Sequence, residues 1–152
     1  MASGIIVERA GDIATVTLSN PGKLNALDRA MWEGLGATMR ALSADETLRC
    51  VVLRGAGDGA FAAGADIAEF ATERADIDQA ARYGALIHDA MQSVARCRHP
   101  VIAMIKGACV GGGLEIAAMC DLRICGESSL HRRLQCLISH SGGGWRWLMR
   151  HR

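Results

Sequence analysis

The groups best suited to chemistry in this chain belong to the backbone. Two separated runs of small residues carry them: Phe61-Ala62-Ala63-Gly64-Ala65-Asp66-Ile67, and Lys106-Gly107-Ala108-Cys109-Val110-Gly111-Gly112-Gly113-Leu114-Glu115. Small residues let a ligand approach the main chain closely. A glycine trio between an apolar run and a helix start also leaves N–H groups unpaired, in a dipole field that favours negative charge. Two such donors aimed at one point form an oxyanion hole, where each is worth about 3 kcal/mol in a water-excluded site. Taken singly, each run is equally a tight strand-to-helix turn. Glu115 also reads two ways: a proton-transfer carboxylate, or an acid placed in a first helical turn for the few tenths of a kcal/mol gained there.

Other constellations are weaker. Gly55-Ala56-Gly57-Asp58-Gly59-Ala60 fits the G-x-G-x-x-A phosphate turn, with Asp76 and Asp78 about twenty residues on. A dinucleotide site would need a helix opening at those glycines and a strand ending near the acids. Phe61 to Asp66 instead interrupts with another glycine, and residues 76–98 read as helix. The six cysteines form no CxxC and no zinc-finger spacing, which gives no metal site. They read as reduced, buried thiols of a cytoplasmic protein. His131, His140 and His151 have no ligand spacing, and Gly142-Gly143-Gly144 lacks the strand a phosphate loop requires.

Alternating elements must position the two runs. Residues 4–8 and 12–18 read as a hairpin around Ala10-Gly11, and Ser19-Asn20-Pro21-Gly22 as a turn. Leu27, Met31, Leu35, Met39 and Leu42 recur at helical spacing, with Asn25 as N-cap. Cys50–Leu53 reads as a strand, Gly55–Gly64 as a glycine-rich loop, and 76–98 as a second helix ended by Pro100. Val101–Ile105 is a buried strand, Leu114–Met119 a helix start and Asp121–Cys125 a strand. The class is α/β.

Together and in this order the motifs resemble the crotonase, or enoyl-CoA hydratase/isomerase, family. They are Asn20-Pro21-Gly22-Lys23-Leu24-Asn25-Ala26-Leu27, the Ala-Gly-Ala-Asp turn, Gly-Gly-Gly-Leu-Glu, and Cys120-Asp121-Leu122-Arg123-Ile124. The resemblance implies a crotonase-like spiral of β-β-α repeats, truncated after its first half. It implies an acyl-CoA thioester as partner, its carbonyl held by the N–H groups of Ala65 and Gly112, with Glu115 as acid or base. Lys23, Leu24 and Ala26, together with Ala63, Asp66, Ile67 and Gly111, would line the CoA and acyl path. The reaction implied is hydration of a 2-enoyl-CoA or a related enolate-forming step such as double-bond isomerisation. No cofactor is implied, since CoA enters with the substrate. Family members form trimers or hexamers.

The family pattern is carried to about Ser129. Where hydratases place a second glutamate this chain has Gln135, which cannot exchange protons. Residues 130–152 hold five Arg, three His, two Trp and no acid, a formal +5 against −4 for residues 1–129. The domain organisation expected is therefore the N-terminal part of a crotonase-like domain over 1–129 and an unrelated, frameshifted basic tail over 130–152. The near-zero total, +1, gives no reason to expect nucleic acid or an anionic membrane as partner. Val101–Cys120, broken by Lys106, Glu115 and three glycines, fails as a spanning helix. A competing reading is a non-catalytic remnant that at most binds acyl-CoA or a paralogous subunit. Translating the gene beyond the Ser129 codon in the other two frames tests the frameshift. Recovery of Phe-Gly-x-Pro and a family-like continuation is expected, and its absence from both frames refutes the idea.

Overall fold

In the computed structural model, which describes residues 2–69 and 76–126, the hairpin forms as the alternation demands. Strands β1 (Gly4–Ala10) and β2 (Ile13–Ser19) pair antiparallel from Gly4 against Ser19 to Ala10 against Ile13. That leaves Gly11-Asp12 as a two-residue turn, with Gly11 at φ +61° as such turns require. Three further strands continue this sheet: β3 (Cys50–Gly55), β5 (Val101–Ile105) and β7 (Leu122–Cys125). The order is β1-β2-β3-β5-β7, and every pair after the first is parallel. A second, two-stranded parallel sheet joins β4 (Ala60–Ala62) to β6 (Ala108–Cys109).

Parallel neighbours need crossovers, and helices supply them. Helix α1 (Arg29–Ala44) links β2 to the β3 segment, α2 (Ile77–Ala95) precedes β5, and α3 (Gly112–Met119) precedes β7. The apolar spacing of α1 turns Met31, Trp32, Leu35 and Met39 inward, where they pack with Tyr83, Met91 and Val94 of α2. These helices cover one face of the sheet. Val51 and Leu53 on β3, and Val101, Ala103 and Ile105 on β5, are fully buried there. The strand at 101–105, expected to be buried on both sides, is not. Ile102 and Met104 on the opposite face are half-buried, because no described helix covers that face.

Other expectations shift. The first helix begins at Arg29, and its N-cap is Asp28, whose carboxylate accepts from the Met31 N–H at 2.8 Å, rather than Asn25. The 55–64 segment is not all loop, since β4 lies inside it. A strand rather than a helix thus follows Gly55-x-Gly57, and Asp76 caps α2 by accepting from the Gln79 N–H at 2.7 Å. A 3-10 turn, Ile67–Glu69, follows the first small-residue turn. Among the described residues no helix is long and apolar enough to cross a membrane. Cys50, Cys97, Cys109, Cys120 and Cys125 are free thiols. Cys136, Gln135 and the three C-terminal histidines lie outside the described residues.

Where α3 meets β4, steric room decides the sequence. A Cβ on Gly113 would sit 2.2 Å from the Ala62 carbonyl oxygen and 2.9 Å from the Ala62 Cβ. A Cβ on Gly59 would meet nothing within 4 Å. Gly113→Ala is therefore expected to destabilise by about 3 kcal/mol through overpacking, against about 0.5 kcal/mol or less for Gly59→Ala. Urea unfolding of the two variants checks this, and equal midpoints would contradict it.

Candidate functional site

The site is assembled where the loop after β2 meets the turn after β4. Three main-chain hydrogen bonds join them: Ala63 N–H to the Leu24 carbonyl at 3.0 Å, Leu27 N–H to the Gly64 carbonyl at 2.7 Å, and Asp66 N–H to the Leu27 carbonyl at 2.8 Å. The last two form a parallel bridge between Leu27 and Ala65. In that pattern Leu27 bonds the residues on either side of Ala65. The N–H of Ala65 itself therefore faces away from Leu27, and it donates to no acceptor among the described residues.

The glycine trio reaches the same place from the other direction. Gly111, at φ +53° and ψ −130°, is the N-cap of α3 and makes no side-chain cap hydrogen bond. Gly112 opens the helix, so its N–H has no preceding turn to bond and no described acceptor. A Cβ on Gly64 would lie 3.3 Å from the Gly112 nitrogen and 3.7 Å from the Gly111 Cα. The two turns thus abut through bare backbone, and Ala65 and Gly112, each with an unbonded N–H, belong to the two segments that meet. Beneath them lies Trp32. Its indole ring would be 3.3 Å from a Cβ on Gly112, and its buried Nε1 has no partner among the described residues.

Side chains frame this point. Lys23 Nζ donates to Asp66 Oδ2 at 2.5 Å, clasping the loop to the turn. The ammonium is half-exposed while Asp66 is 7% exposed. The lysine hydrogen bond, helped by the Ala68 N–H on Oδ1, outweighs desolvation and holds the Asp66 carboxyl below its ordinary range. The same hydrogen bond raises Lys23. Leu24 and Ile67 are exposed, whereas Ala26 is buried with its carbonyl accepting from the Asn20 amide at 2.6 Å. Glu115 lies one helical turn beyond Gly112, exposed to solvent. Among the described residues no cluster of three His, Cys, Asp or Glu side chains could hold a metal ion.

Lys23, Leu24, Ala63, Asp66, Ala65, Gly111 and Gly112 are therefore drawn to one junction. Ala26 lies below it, and Ile67 and Glu115 stand on its exposed side. Asn20, Asn25 and Trp32 went unselected as site residues in the sequence. The available signal was a pair of asparagines around a Pro-Gly turn, a composition that favours left-handed backbone and local side-chain hydrogen bonds. Such an arrangement can receive a carbonyl oxygen between two N–H donors at a helix N-terminus and stabilise negative charge that builds there.

Comparison with known proteins points to one family. The family described as enoyl-CoA hydratase/isomerase matches residues 8–149, a stretch that crosses the change of composition at Leu130. A probable enoyl-CoA hydratase of Rhizobium meliloti is 38% identical over 125 residues, covering 82% of this chain and 47% of the relative. The mitochondrial Delta(3,5)-Delta(2,4)-dienoyl-CoA isomerase of Mus musculus is 35% identical over 123 residues, covering 75% and 37%. Among solved structures, an enoyl-CoA hydratase/carnithine racemase from Magnetospirillum magneticum superposes with TM-score 0.80 at 50% identity, covering 82% of this chain and 47% of that one. An enoyl-CoA hydratase from Bacillus anthracis gives TM-score 0.77 at 33% identity, covering 82% and 48%. The chain spans about half the length of these hydratase relatives.

The Lys23–Asp66 clasp has a defined pH dependence. Asp66 is lowered, so its contribution to stability is complete above its ordinary value of 3.8 and is lost as pH falls through the lowered value. Lys23 is raised, so its contribution is complete below its ordinary value of 10.5 and is lost as pH rises through the raised one. The stability difference between wild type and Asp66→Asn should then be constant from roughly pH 5 to 9 and shrink on further acidification. Denaturant titrations across that range check it. A difference that grows below the carboxylate range would contradict the assignment.

Proposed function

The chain belongs to the enoyl-CoA hydratase/isomerase family, and on that premise we propose that its glycine junction binds the carbonyl oxygen of an acyl-CoA thioester. The observation that carries this reading is the contact of the Gly64 and Gly111-Gly112 backbones beside two unbonded N–H groups. Ala65 and Gly112 donate to the thioester oxygen. Their bonds strengthen as that oxygen gains charge, which is the differential binding that lowers a barrier. The N-terminal dipole of α3 acts in the same direction.

Proton transfer falls to Glu115. In hydration of a 2-enoyl-CoA, the water oxygen bonds to C3 and one water proton goes to the base. The electron pair of the double bond moves through C2 onto the thioester oxygen as an enolate, and C2 then takes a proton. In double-bond isomerisation no water adds: proton loss from the acyl chain gives an enolate extended over the carbon–carbon double bond, which collapses by protonation at a different carbon. One carboxylate can serve both proton steps of the isomerisation. Lys23, Leu24, Ala63, Asp66, Ile67 and Gly111 border the path of CoA and the acyl chain, and CoA arrives as part of the substrate.

The exposure of Glu115 favours a second reading. A general acid or base works best in an enclosed, water-poor site, and this carboxylate is open to solvent. The chain would then bind acyl-CoA, alone or beside a paralogous subunit, without turning it over. Crotonyl-CoA hydration by the purified chain discriminates the two. The enzyme reading expects turnover that Glu115→Gln lowers by about a hundredfold or more. Tight acyl-CoA binding with no turnover, unaffected by Glu115→Gln, would overturn it in favour of the binding reading.

A further inference from the structure

The Ala65 N–H needs something outside its own segment to aim it. It belongs to the peptide that follows Gly64, and Gly64 at φ +101° occupies a region where the backbone has little steric preference of its own. The hydrogen bonds that fix this turn come from Leu27, on Gly64 and Asp66, and from Leu24, on Ala63, and these two residues lie on either side of Asn25. Asn25 is 5% exposed, and its amide is fully engaged. Nδ2 donates to the Ala56 carbonyl at 3.0 Å and the Ala60 carbonyl at 2.8 Å, while Oδ1 accepts from the Asn20 N–H at 3.2 Å.

Backbone geometry points the same way. Leu24 and Asn25 are consecutive non-glycine residues at φ +50° and +55°. Left-handed backbone is strained for an ordinary L-residue and persists only where its surroundings hold it. Asn tolerates it best, and here the side chain supplies the hold. The neighbouring sequence makes room: a Cβ on Gly55 would sit 2.8 Å from Asn25 Nδ2, besides striking the Ala60 carbonyl at 2.1 Å.

We propose that Asn25 is a positioning residue: its buried amide locks the Leu24–Leu27 loop and thereby directs the Ala65 N–H at the thioester oxygen. The assignment rests on the thioester reading above. Asn25 touches no substrate. It acts through Leu24 and Leu27, and it does not serve as the helix cap.

Acetoacetyl-CoA is a suitable probe, since its bound enolate absorbs in the near ultraviolet and reports how well the oxygen is held. Free CoA reads the rest of the site. With the full chain, the wild type should raise the enolate absorbance. Asn25→Asp, which sets a carboxylate oxygen against the Ala56 and Ala60 carbonyls, should lower the enolate-forming affinity by about a hundredfold and leave CoA affinity within about threefold. Asn25→Gly accepts φ +55° freely and lacks only the amide, so it carries the test if the aspartate variant fails to fold, with the same loss expected. A folded variant with undiminished enolate signal, or one that loses enolate and CoA binding in equal proportion, overturns the assignment. A wild type that binds acetoacetyl-CoA without any enolate signal overturns the thioester reading itself, and this assignment with it.

Discussion

The site depends on two stretches of main chain touching where neither can carry a side chain. A Cβ on Gly64 would press on the Gly112 nitrogen, one on Gly112 would press on the Trp32 ring, and one on Gly113 would collide with the Ala62 carbonyl. Each of these positions therefore trades the rigidity a side chain would give for proximity. The lost rigidity is returned from outside, by β4 pairing with β6, by the bridge between Leu27 and Ala65, and by the buried Trp32 beneath. Donors held by the scaffold need no reorganisation when charge develops in front of them.

The three described helices show how selectively those donors are left open. Helices α1 and α2 begin with aspartate caps, and the carboxylates of Asp28 and Asp76 consume the N–H groups of Met31 and Gln79. Helix α3 begins with Gly111 and has no side-chain cap. Glycine at the N-cap gives up only about a few tenths of a kcal/mol against a side-chain cap, so α3 forgoes a small stabilisation that the other two helices take. It is also the most apolar of the three, and its buried Ile116 and Ala117 tie it into the core. Tertiary packing thus lets a short helix keep an uncapped N-terminus facing the junction.

Much of this was legible in the sequence for physical reasons. Periodicity located the strands and helices because one face of the sheet is fully covered, and Val51 and Leu53 alternate with half-buried neighbours as such a face requires. The two small-residue turns announced themselves by composition, and their order carried the family resemblance. What escaped were effects set by distant contacts. Asn25 has the residue type of an N-cap and sits just before an apolar periodic run. Its amide is instead drawn to carbonyls some thirty positions away. Gly55 imitates a phosphate turn, but it is small because the Ala60 and Phe61 carbonyls pass close to it. The half-buried far face of the sheet had no local signature, since coverage is a property of the assembled layers.

The proposed binding of the thioester makes Ala65 and Gly112 one pair of donors. Amide NMR of the full chain titrated with an unreactive saturated acyl-CoA tests it most directly. Both N–H resonances should move downfield and saturate at the same concentration, while CoA lacking the acyl thioester leaves them in place. Movement of only one of the two, or an equal response to CoA alone, would contradict it.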